Sequence, residues 1–160
     1  MTSSEDRRNV LRTLMARLVG AIGCDVIPAD EDRAPAANAG TWARVTITDT
    51  EARYSGRVAG PRRTRVDMLV TVDLFARSNA AEQVASIDAI DERAAEAAQV
   101  LSYLSLPIKD YVSDPTGGTA LQGIVFRTIQ PATVRHLPKS DGYVRRMIEA
   151  AGFYHIVHGA

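Results

Sequence analysis

Apolar residues return every three or four positions from Val10 through Leu11, Leu14, Met15, Leu18 and Val19 to Ile22, while Arg7, Arg8, Arg12 and Arg17 fall off that stripe. This period marks an amphipathic helix. Thr2 with Glu5, or Ser3 with Asp6, forms a capping-box pattern at its start, and Gly20 and Gly23 weaken and end it. The period then changes to two. After Trp42, Ala43, Val45 and Ile47 alternate with Arg44, Thr46 and Thr48; later Val66, Met68, Val70, Val72 and Leu74 alternate with Asp67, Leu69, Thr71, Asp73 and Phe75. Each alternation predicts a strand with one face on the core. A second helical stripe, Val84, Ile87, Ile90, Ala94, Ala97, Ala98 and Leu101, follows Asn79 as a cap and runs to about Leu104. Residues 109–118 read as a turn-rich link after Pro107. Leu121 to about His136 returns to strand, with Pro131 implying an edge or a bulge. Tyr143 to Val157 predicts a last strand, interrupted near Ala150-Ala151-Gly152, with a hairpin turn at Pro138 to Gly142 before it.

The order helix, strand, strand, helix, strand, strand predicts an α+β fold, a mainly antiparallel four-stranded sheet packed by an N-terminal helix and a long central helix. One domain spans residues 1–160, with extended loops at about 24–41 and 50–65. The first loop shows no period, and loops of that length in compact domains are commonly functional or ordered by partners. The second gathers Arg53, Arg57, Arg62, Arg63 and Arg65.

Composition sharpens the functional picture mainly by exclusion. The charges balance, 19 basic against 19 acidic residues, which is not the basic excess of a dedicated nucleic-acid binder. Lysine occurs only at 109 and 139, so the basic side is almost all arginine. Codon bias in a GC-rich genome explains that, and so do arginine-mediated interfaces. Cys24 is the only cysteine, so no intrachain disulfide can form. It follows a helix end, where a thiolate is disfavoured, and reads as a packing residue. The polar N-terminus is unlike a signal peptide, and no apolar run approaches the ~20 residues of a membrane span.

Candidate chemistry is sparse. His155 and His158 sit three residues apart, on opposite faces if the strand continues, and His136 lies far along the chain. No serine stands in a nucleophile elbow, and the glycines lack the Gly-Lys-Ser/Thr of a phosphate loop. Asp88, Asp91 and Glu92 share a helix surface, read first as a solvated acidic face because calcium-loop spacing is missing. No catalytic, metal or cofactor site is expected. The arginine group stands out: it either keeps a loop soluble or reaches a neighbouring subunit or an anionic surface such as DNA.

Several stretches taken together resemble the tail terminator (tail completion) proteins of long-tailed bacteriophages and phage-like particles. They are Trp42-Ala43-Arg44-Val45-Thr46-Ile47 with Gly56 in the loop beyond, Met68 to Ala76 with Ala80-Ala81-Glu82 opening the next helix, Gly123-Ile124-Val125-Phe126, and a terminal strand with Tyr143 and Phe153-Tyr154. The similarity covers most of the chain; it departs at Asp67, where the family strand usually enters from a glycine, and in the last strand. The resemblance implies a virion protein of the tail or neck, assembled in the host cytoplasm. Its ring, commonly of six subunits, caps the tail tube, ends tube polymerisation and offers the surface on which the head connector docks. Partners would be further copies of the chain, the tail tube protein, the head–tail connector protein, and DNA passing through the lumen without sequence-specific contact; no membrane is implied. In such a ring the arginine-rich loop would reach the tube, the lumen or the next subunit, and Asp88, Asp91 and Glu92 could meet a neighbour's arginines. The alternatives are a head–tail connector of the neck and a double-stranded DNA-binding module. An enzyme is the weakest reading, because no nucleophile–base pairing or metal-ligand spacing is found.

Overall fold

The computed structural model describes residues 3–35, 40–55, 63–77, 83–140 and 142–157. Helix α1, Ser3–Ile22, leads into the short strand β1, Asp25–Pro28, and then into two 15-residue strands, β2 (Thr41–Ser55) and β3 (Arg63–Arg77). Helix α2, Gln83–Leu101, is followed by β4 (Ser105–Lys109), β5 (Ala120–Thr128), β6 (Thr133–Ser140) and β7 (Tyr143–Val157).

These strands form one seven-stranded sheet ordered β1-β2-β3-β7-β5-β4, with β6 also on β7. The sheet is mixed, since β1 runs parallel to β2 and the other pairs are antiparallel. It curls into a half-barrel. The expected mainly antiparallel four-stranded sheet with a long central helix is therefore incorrect: the molecule is mostly sheet. Three local causes account for the extra strands. Asp25–Pro28 is too short to show a period, and its partner lies beyond a connecting loop. Ser105–Lys109 contains Pro107, a residue that reads as a terminator and is tolerated here because β4 is an edge strand. The stretch read as one strand from Leu121 to His136 breaks between Thr128 and Thr133, giving β5 and β6. β7 serves both: Glu149 to Arg145 pair with Thr133 to Leu137, while Gly152 and Phe153 pair with Thr128 and Arg127.

The long hairpin and β7 make the frame. β3 pairs with β7 along its whole length, from Arg63↔Val157 to Arg77↔Tyr143. β7 is uninterrupted at Ala150-Ala151-Gly152, and Gly152 has a packing reason. A Cβ there would stand 2.3 Å from the ring of the fully buried Phe126 and 2.9 Å from the Arg127 carbonyl oxygen. The expected loop at 50–65 is shorter than its sequence suggested, because residues 50–55 and 63–65 belong to β2 and β3 and the connection between them lies outside the described residues.

Both helices lie on one face of the sheet. There Val66, Met68, Val70, Val72, Leu74 and Ala76 of β3 join Ile148, Ala150 and Tyr154 of β7 and Val10, Leu14, Leu18 and Ile22 of α1. Each such aliphatic side chain contributes ~1.5–3 kcal/mol on burial. Gly23, at φ 62°, ends α1 as its sequence suggested, its N–H donating to the Val19 carbonyl at 3.1 Å. The last turn of α1 has no basic residue of its own; Arg93 of α2 donates to the Ile22 carbonyl instead, joining the helix ends. Asn9 and Thr13, both buried, fix α1 to the end of β4 and to the segment after it. The Asn9 amide oxygen accepts from the Tyr111 and Val112 N–H groups at 2.8 and 3.1 Å, and the Thr13 hydroxyl accepts from Lys109 N–H at 3.1 Å.

Candidate functional site on the uncovered sheet face

Alternation along β3 and β7 sends every second side chain away from the helices. On β3 the buried positions alternate with partly exposed ones from end to end, and no helix covers this second face among the described residues. Register places its residues in cross-strand rows. Trp42, Phe75 and Arg145 form one row; Arg44, Asp73, Met147 and Arg135 the next; Thr46, Thr71, Glu149 and Thr133 another; then Thr48, Leu69 and Ala151; and near the far end Asp67, Phe153 and Arg127.

Arginines sit on aromatic rings at both ends of this face. Trp42 stacks on Phe75 at 5.4 Å between centroids and meets Tyr143 edge-on at 5.1 Å. The Arg77 guanidinium lies 5.7 Å from the Trp42 ring and that of Arg145 lies 5.0 Å from Phe75. At the other end Arg65 lies 4.0 Å over Phe153, which meets His155 edge-on at 5.6 Å. Ten residues of β3 separate Phe75 from Arg65, roughly 33 Å of strand. Aromatic pairs contribute ~0.5–1.5 kcal/mol beyond area burial and cation–π contacts at exposed sites ~0.5–1 kcal/mol, so these contacts hold the rings and guanidinium groups against one another.

The charges on this face are largely cross-paired. Arg65 donates two hydrogen bonds to Asp67, at 2.8 and 3.0 Å. Arg145 lies 3.6 Å from Asp73 and Arg135 lies 3.5 Å from Glu149. Burial raises the Asp73 carboxyl above its usual range, against the opposing pull of Arg145 and Arg44. Along this face Arg44, Arg65, Arg77, Arg127, Arg135 and Arg145 stand against Asp67, Asp73 and Glu149, with Arg53 and Glu51 adding one charge of each sign in register at its far end, so the face is basic although the chain is neutral.

The arginines named from the sequence divide accordingly. Arg65 is on the uncovered face and engaged with Asp67 and Phe153; Arg63 is exposed at the start of β3. Arg53 pairs in register with Arg65, but its side chain, and Arg57 and Arg62 altogether, lie outside the described residues. Of the acidic trio, Asp88 and Glu92 are exposed, whereas Asp91 accepts from the buried Arg146 Nε at 2.7 Å and ties α2 to β7. Sequence reading had not joined Trp42, Phe75, Tyr143, Arg77 and Arg145. The available signal was that Trp42 shares parity with Arg44 and Phe75 with Asp73, opposite to the core residues.

The segment after β1 is pinned to the same edge. Arg33 bonds Asp25 at 3.0 and 3.2 Å, Arg12 bonds Glu31 at 2.5 Å, and Arg44 reaches the Glu31 and Arg33 carbonyls. A groove of about 470 Å³ opens between α1 and β2, lined by Arg7, Arg8, Leu11, Val45, Ile47 and Asp49. Burial, offset in part by Arg93, raises the Cys24 thiol, which suits packing. Among the described residues no group of three or more His, Cys, Asp or Glu side chains could hold a metal ion. Among the described residues no helix is long and apolar enough to cross a membrane.

No family model matches the chain. No curated protein matches it either. Solved structures do match: one whose name states no function is similar over 99% of this chain and 99% of its own, at 15% sequence identity and a TM-score of 0.63. That likeness shows a shared fold over the full length.

Proposed function

We propose that this chain is a structural subunit of a phage tail or phage-like particle, a tail terminator whose ring caps the tail tube, ends its polymerisation and presents the head-joining surface. The observation that carries the reading is the uncovered face between Trp42 and Phe153, a surface on which arginines and aromatic rings are stacked together and no helix lies among the described residues. The stretches that resemble tail terminators fall on four of the strands that build this face, β2, β3, β5 and β7. In this reading the face meets other proteins of the particle, chiefly the tube.

Leu69 and Met147 lie mid-face, where a charge disturbs a partner more than the fold. Leu69→Asp and Met147→Asp are expected to leave the chain folded at a cost of about 1–3 kcal/mol, since both side chains are half-buried in central strands, and to abolish capping when the full chain is mixed with tail tubes and imaged by electron microscopy. Unchanged capping by both variants would remove the face from the account.

The basic surplus of the same face favours one second reading, a double-stranded DNA-binding module. It requires binding that weakens steeply with salt and is lost when Arg44, Arg127 and Arg135 become alanine; binding indifferent to those changes excludes it.

A further inference from the structure

Two strand edges remain open among the described residues, on opposite sides of the sheet. β1 covers β2 only from Trp42 to Val45; beyond that the outer edge of β2 has no neighbouring strand, and Arg7 of α1 donates to the Ile47 carbonyl at 2.6 Å. On the other side β6 pairs with β7 along one edge and with nothing along the other. Long open edges are a liability that proteins blunt or use. The other two outer strands are short, four residues in β1 and five in β4, and each contains a proline.

The open edge of β6 begins beside a strained anchor. Tyr103 adopts φ 52° and is 68% exposed, the most exposed large apolar side chain among the described residues. A left-handed conformation is unfavourable for any residue other than glycine. Its neighbours over-determine it. The Thr128 hydroxyl donates to the Leu101 carbonyl at 2.6 Å and accepts from Leu104 N–H at 2.8 Å, while Ala132 N–H donates to the Ser102 hydroxyl at 2.9 Å. Ile129 at 63% and Val134 at 39% exposure extend the patch onto β6. An exposed tyrosine held rigidly in an unfavourable conformation, next to apolar neighbours and an open edge, is built as an interface anchor.

We infer that the occupant of this patch is a second copy of the chain, with the open edge of β6 in one subunit adding to the open edge of β2 in the next. This rests on the ring reading and says how the ring closes. Strand direction supports the pairing. β2, β3, β7 and β6 alternate in direction, so β6 runs opposite to β2. A neighbour related by a modest rotation then forms an antiparallel β6–β2 pair, the more stable kind. The contact is heterologous, joining different surfaces of identical chains, as ring closure requires. β6 is level with the start of β2, whereas the open part of β2 lies beyond Ile47, whose carbonyl Arg7 holds, so the strands must incline to the ring axis, as they do in closed barrels. The uncovered face remains available to the tube.

The test uses the full chain in a Cys24→Ser background. Thr48 and Arg135 are exposed on β2 and β6, on the same face of the sheet. With Thr48→Cys and Arg135→Cys in one chain, a short thiol crosslinker is expected to give a ladder ending at the ring mass. Tyr103→Gly, which relieves the left-handed strain, is expected to raise monomer stability yet weaken assembly at least tenfold. An intact ring without the ladder, self-crosslinking of Arg135→Cys alone, or full assembly by Tyr103→Gly overturns the edge pairing and leaves the ring standing. A chain that stays monomeric at every concentration overturns both.

Discussion

Single side chains in this protein act mainly by fixing surfaces. Asn9 and Thr13 hold a strand to a helix, Gly152 yields its volume to Phe126, and Thr128 braces the turn at Tyr103. Tyr154 shows the same economy in its protonation. It is fully buried, and burial first, then Asp6 and Asp49, push its phenol up to about 12 from an ordinary value of 10.0. Its folded value is raised, so the folded state holds the proton after the unfolded state has released it. The stability it contributes is present in full below about pH 10 and is lost as pH rises from there to about 12. Ultraviolet titration is expected to show one tyrosine ionising last, and Tyr154→Phe to remove both that step and its share of the alkaline loss of stability. A Tyr154 that titrates with the exposed tyrosines would contradict this placement.

At the scale of elements, the α2–β7 contact depends on an ion pair that the sequence disguised. Asp88, Asp91 and Glu92 read as one acidic surface, but Asp91 is turned to the buried Arg146. Because Asp91 is itself partly exposed, Asp91→Ala is expected to cost on the order of 1–3 kcal/mol, chiefly by leaving the buried Arg146 without its carboxylate partner. Asp88→Ala and Glu92→Ala should stay within about 0.5 kcal/mol in the same denaturant titration. Equal effects from all three would put Asp91 back on a solvated face. The long elements were legible where the period runs on, as in α1 and in β3 from Val66 to Leu74, whereas β2 was read only from Trp42 to Thr48 and β7 with a break at Ala150-Ala151-Gly152 that the structure does not have. β1 and β4 were not legible, since four or five residues carry no period and their pairing is settled by distant partners. The uncovered face was half legible. Parity put Trp42 with Arg44 and Phe75 with Asp73, but joining them to Tyr143 and Arg145 needed the β3–β7 register, which no local pattern encodes.

At the scale of the whole molecule, a neutral chain carries a basic aromatic face on one side of a curled sheet and, among the described residues, long open edges on β2 and β6. Each is poorly accounted for by the isolated subunit and well accounted for by a closed assembly, in which the edges pair between copies and the face turns to another protein. Sedimentation of the full-length chain over a wide concentration range tests this most directly. A single closed species at one fixed multiple of the subunit mass, with no larger polymers, is the expected result. A monomer throughout, or an open series of ever larger species, would contradict the account.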